Sequence, residues 1–133
     1  MDTGKVRFFF REYPLDPLAM GAVMLTRCIE GDKWYQMLNR LFETQETWSH
    51  SKTPVEALAQ VADEVGMSRE QFDACARNEW LYADVISIAK RAKEEFGVLS
   101  TPTFFINGEK HTGALTMEQF DQILGPMFAK AVR

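Results

Sequence analysis

With 133 residues, 46% of them hydrophobic and 26% charged, the chain is long enough for one domain with a modest core and too short for two comfortable ones. A formal net charge of -4, with no Lys/Arg cluster, argues against nucleic acid as a partner, because phosphate binding wants a basic footprint. No run of about eighteen apolar residues is present to span a membrane. The opening MDTGKVRFFF lacks an apolar h-region and a small-residue cleavage site, so the chain as written is expected to stay in the cytoplasm.

Val6 to Glu12 reads as a strand: Val6, Phe8 and Phe10 share one face, and Phe9 stands between arginines on the other. Apolar residues on both faces predict cover on both sides. Tyr13-Pro14-Leu15 ends the strand. Asp16-Pro17 is an N-cap with proline at the first helical position, opening a helix from Pro17 to Ile29. That helix is apolar nearly all round and is expected to be buried. Gly31 ends it. A second helix runs from Lys33 to about Thr44, with Trp34, Met37, Leu38 and Leu41 on one side. Thr53-Pro54-Val55-Glu56 reads as a capping box opening a helix that stops at Gly66, and Ser68-Arg69-Glu70-Gln71 as another opening a helix through Ala76. Asn78 caps a helix from Glu79 to Phe96 that ends at Gly97. Thr103 to Ile106, Asn107-Gly108 and Glu109 to Thr112 form a hairpin, since both turn residues tolerate positive φ. Thr116-Met117-Glu118-Gln119 caps a last amphipathic helix with Phe120, Ile123, Leu124 and Met127 inward. The order is α/β with a helical insertion over about 17–96, and three strands make a thin sheet.

Three stretches, VRFFFREYPL before the helical block, EEFGVLSTPTFFING after it and GALTMEQFDQIL at the close, resemble the DsbA-like branch of the thioredoxin fold. The resemblance covers essentially the whole chain in the family's own order. On residues alone, Pro102 is an ordinary trans proline at a strand start. The resemblance implies instead a cis Thr101–Pro102 bond beside a redox-active Cys-x-x-Cys. Thr101 and Pro102 then form a substrate-binding edge that pairs with an extended peptide. The family acts on exported proteins or peptides with cysteines, in the periplasm, without a bound cofactor.

The sequence departs from that family in one decisive respect. It holds two cysteines, Cys28 and Cys75, and no Cys-x-x-Cys, whereas dithiol exchange needs a thiolate at a helix N-terminus with a resolving cysteine one turn away. Met1 to Gly4 fall where the loop after the catalytic helix would lie. Residues 1–133 therefore read as a single truncated thioredoxin-like domain lacking its first β-α unit, with no catalytic residue and no redox activity by the family mechanism. The alternative is a genuine short peptide-binding or self-assembling module. Without a central strand, the apolar strand edges predict a homodimer or higher oligomer.

Cys28 and Cys75 read as two buried thiols, as a reversible redox pair, or as a structural disulfide within the helical block. Some α-proteobacterial relatives of DsbA carry a second, non-catalytic disulfide there. His50 is expected in a loop and His111 outward on the hairpin. They have no Cys/His/Asp cluster at metal spacing, so no metal site is expected. Glu94-Glu95 reads as a solvated helix face.

Overall fold

Asp16 sets the first helix. Its Oδ1 accepts the Ala19 N–H at 2.8 Å, and Pro17 follows at the first helical position, where a missing N–H costs nothing. Helix α1 (Pro17–Cys28) buries Met20, Ala22, Met24, Leu25 and Thr26. It packs against α2 (Trp34–Glu43), α4 (Pro54–Glu64) and α5 (Arg69–Ala76). A short helix α3 (Gln45–Ser49), not evident in the sequence, continues from Thr44 and buries Trp48. The Trp48 indole N–H donates to the Leu41 carbonyl at 2.8 Å, so the largest side chain of this core leaves no polar atom stranded. The core adds Met37, Leu58, Val61, Met67, Phe72, Leu81 and Val85, the last two from α6 (Glu79–Phe96). These elements form one compact unit, Glu12–Arg91.

The other unit combines Met1–Arg11 with Ala92–Arg133. The computed structural model describes residues 4–131. Met1, Asp2 and Thr3, read above as part of a loop, lie outside the described residues. Strands β1 (Thr103–Ile106) and β2 (Glu109–Thr112) pair antiparallel, Ile106 opposite Glu109 and Phe104 opposite His111. Asn107 (φ 50°) and Gly108 (φ 92°) supply the two left-handed residues of the turn, whose twist matches that of the strands. Thr116 caps α7 (Met117–Ala131): its Oγ1 accepts from Gln119 N, and Gln119 Oε1 accepts from Thr116 N. The Phe120 ring on α7 meets Phe104 edge-on at 5.2 Å.

Three expectations need correction. Val6 to Glu12 is not a strand, and the sheet among the described residues is β1–β2 alone. A strand exists only through a ladder, and alternation cannot supply the neighbour. Its last residue is fixed differently: Glu12, 8% exposed, accepts from Arg27 Nε at 3.0 Å and Nη2 at 2.8 Å. That hydrogen bond holds the Arg27 pKa above its ordinary value, against the opposing effect of burial. The Thr53 capping box does not form, since no side-chain cap bond is made there. The Glu56 carboxylate is taken by Arg69 at 2.6 and 3.0 Å instead, which pulls its pKa below the ordinary value, chiefly by hydrogen bonding. His111 does not point outward. It is half-buried, with Nε2 enclosed and unbonded among the described residues. Directly opposed residues share a face, so His111 shares that of Phe104, which α7 covers.

Removing Arg27 leaves a nearly buried carboxylate without its main counter-charge, which is costlier than removing both charges. Arg27→Met should destabilise by about 3 kcal/mol in urea unfolding, and the Glu12→Gln/Arg27→Met pair by clearly less. A loss in the double variant equal to the sum of the Arg27→Met and Glu12→Gln single losses would mean the pair is not coupled.

Candidate functional site

The Thr101–Pro102 segment is held at three points. Gly97 (φ 62°) ends α6, Gly97 N donates to Lys93 O at 3.1 Å, and Val98 N reaches Ala92 O at 3.0 Å. Lys110 Nζ, from β2, donates to the Gly97 carbonyl at 3.1 Å. Thr103 Oγ1 donates to Ser100 O at 2.7 Å, and Gly113 N to Pro102 O at 2.9 Å. Val98 is buried, whereas Leu99, Ser100, Thr101 and Pro102 are exposed. The Thr101–Pro102 peptide bond is cis.

Backbone alternation turns these contacts into a direction. In an antiparallel pair, successive residues aim their N–H and C=O to opposite edges. Pro102 bonds inward to Gly113, and Phe104 and Ile106 pair with β2 across a two-residue turn. The backbone groups of Thr103 and Phe105 therefore face away from β2, and Thr101 makes no hydrogen bond to backbone among the described residues. The candidate edge is thus longer than the two residues Thr101 and Pro102. Thr103 and Phe105 were missed, although the Asn-Gly turn fixes the register that finds them. Phe105 is 46% exposed, with its ring 6.0 Å from Phe96. Thr101, Pro102, Thr103, Phe104, Phe105 and Ile106 include no charge.

Cys28 and Cys75 come together in the helical unit. Their sulfurs are bonded at 2.03 Å with Cα atoms 6.0 Å apart, joining the last residue of α1 to the next-to-last of α5. Cys75 is 3% exposed, and Cys28 only half-buried. Cys75 Sγ lies 3.3 Å from Met24 O, a contact and not a hydrogen bond, since a bonded sulfur carries no proton. Cys28 lines a cleft of about 340 Å³ with Ile29, Gly31, Lys33 and Gly66. Among the described residues no group of three His, Cys, Asp or Glu is placed to hold a metal ion. His50 follows α3, mostly exposed, with Nδ1 3.1 Å from Glu46 O. No helix of the described residues is long and apolar enough to cross a membrane.

A thioredoxin family model matches residues 1–125. The chain belongs to the thioredoxin family. Its relatives include the "Putative protein-disulfide oxidoreductase" of Rickettsia typhi, 30% identical over 114 residues, covering 81% of this chain and 40% of that protein. The Rickettsia conorii protein of the same name is 28% identical over 110 residues, covering 81% and 39%. The chain thus spans about two-fifths of the length of the curated relatives it matches. The crystal structure of Wolbachia pipientis alpha-DsbA1 superposes with a TM-score of 0.87 at 24% identity, over 98% of this chain and 72% of that one. That likeness speaks for the fold, a helix-rich thioredoxin-like α/β arrangement of the DsbA type.

The disulfide closes a loop with ends 47 residues apart, which on the chain-entropy account stabilises by about 4 kcal/mol. The Cys28→Ala/Cys75→Ala variant should lose roughly that much in urea unfolding, with the helical circular dichroism retained. A loss below about 1 kcal/mol would remove the link from the stability of the helical unit.

Proposed function

We propose that these 133 residues are the substrate-docking hairpin and helical insertion of a DsbA-like thiol:disulfide oxidoreductase, and do not themselves exchange disulfides by the family mechanism. The placement of the cysteines carries this reading. A reactive thiolate is favoured at a helix N-terminus, where the dipole is positive. Cys28 and Cys75 occupy C-terminal turns of α1 and α5 and are bonded to each other. They tie helices together. The structural role foreseen for the pair fits that position better than a redox role.

The outer edge at Thr101, Thr103 and Phe105 offers backbone groups to an extended, cysteine-bearing segment of an exported protein, by strand addition. By family likeness the reading assigns the activity to the periplasm, and it calls on no nucleic acid, metal or organic cofactor. The names of the rickettsial relatives favour this reading over a genuine short assembly module.

Two measurements test it. Insulin reduction by dithiothreitol should run at the uncatalysed rate with this chain present, and an acceleration abolished by alkylating its thiols would overturn the inert assignment. Titrating the ¹⁵N-labelled chain with an extended cysteine-containing peptide should shift the amides of Thr101, Thr103 and Phe105. Shifts confined to 12–91 would instead move the docking site off the hairpin.

The same uncharged edge, with Phe8, Phe9 and Phe105 exposed in its unit, invites self-association. Sedimentation should give a mass above the 15.3 kDa monomer, falling to the monomer in Phe9→Ser/Phe105→Ser. A monomeric unmodified chain at high concentration would count against it.

A further inference from the structure

The Cys28–Cys75 disulfide is asymmetric, and the asymmetry has a chemical consequence independent of the docking edge. Thiol–disulfide exchange requires a thiolate to reach one sulfur in line with the bond that breaks, so access decides which sulfur is attacked. Cys75 is enclosed at 3% exposure, in the core with Met24, Leu25 and Phe72. Cys28, the last residue of α1, is half-buried and lines the 340 Å³ cleft. Two of the cleft's lining residues are glycines, Gly31 and Gly66, both at positive φ; the space beside Gly31 is open, and the Lys33 ammonium stands over Gly66.

We infer that Cys28 is the single point of entry for a small-molecule thiol, which forms a mixed disulfide there and releases Cys75 as a buried thiol. In the step, the thiolate sulfur of the incoming RSH bonds to Cys28 Sγ and the Cys28–Cys75 bond breaks. The bonding pair stays on Cys75 Sγ, and the proton given up by RSH ends on that sulfur. RSH and the protein disulfide thus become Cys28–S–S–R and Cys75–SH, with no further oxidant or reductant.

The surroundings of Cys75 support this direction. Met24 O, 3.3 Å from Cys75 Sγ, has no proton to accept while the sulfur is bonded, and is within reach of an S–H once the bond opens. Attack at Cys75 would instead drive the incoming group into a filled core and release Cys28 at the surface.

The probe is reduced glutathione. The native chain is incubated with it in excess, quenched, alkylated with N-ethylmaleimide under denaturing conditions and mapped by peptide mass. Glutathione should be found on Cys28 and maleimide on Cys75, with the Cys28 adduct at least tenfold in excess. Glutathione on Cys75, comparable amounts on both, or no adduct on the folded chain would overturn the assignment. A second measurement uses the single variants, checked for native circular dichroism. Cys28 in Cys75→Ala should react with Ellman's reagent in native buffer, and Cys75 in Cys28→Ala only after guanidinium is added. Should either variant fail to fold, the native mapping decides alone.

Discussion

Helix α1 has no broad solvent face, and the helical unit is arranged by that constraint. Its buried residues, Met20, Ala22, Met24, Leu25 and Thr26, are spread around the helix at 100° per residue, so no single neighbour can cover them. Cover comes from α2, α4 and α5 together. The one buried hydroxyl, on Thr26, is satisfied by donating to Val23 O at 2.8 Å, which removes the cost of an orphaned polar group. The C-terminal end of α1 then carries two ties. Arg27 binds Glu12, just before the helix, and Cys28 is bonded to Cys75 on α5. A helix buried on most of its circumference and tied at its C-terminal end by an ion pair and a disulfide has little freedom to rotate, and α2, α4 and α5 pack to suit it.

The hairpin unit obeys a different constraint, that of register. A two-residue turn with both residues left-handed admits one pairing, Ile106 with Glu109, and a slip by one residue would turn Phe104 away from Phe120. Once that pairing is fixed, alternation decides the rest. Pro102 bonds inward to Gly113, and Thr103 and Phe105 face outward, whatever the side chains prefer. The docking edge is thus set by the Asn107-Gly108 turn several residues away and stiffened by Lys110 on the Gly97 carbonyl.

How much of this was legible follows from the range of the interactions involved. Asp16, Ser68, Asn78 and Thr116 were readable as caps because each acts on an N–H three residues away. Thr53 has the same pattern and fails, because Arg69 lies far along the chain and binds Glu56 more strongly than a backbone N–H would. Val6 to Glu12 shows the period of a strand, yet period reports side-chain faces and not whether a partner strand is present. His111 was misplaced for a related reason: the cover over its face comes from α7, which nothing in the local sequence announces. Thr101 and Pro102 were recognisable through family likeness, while Thr103 and Phe105 needed only the register.

The two cysteines show most sharply how position determines chemistry. Sequence spacing left them open as thiols, as a redox couple or as a link, since all three are compatible with residues 47 apart. Structure separates these by surroundings. Both sulfurs stand at the negative ends of their helices, where a thiolate gains nothing from the dipole. One sulfur, that of Cys75, is enclosed in apolar core, out of reach of an incoming thiol. A bond so placed resists exchange from the Cys75 side and yields only where Cys28 meets the cleft. The sulfur released at Cys75 takes up a proton, because an apolar site accommodates an S–H and not an anion. The bond joins α1 to α5, and its exposure to an incoming thiol is confined to one sulfur.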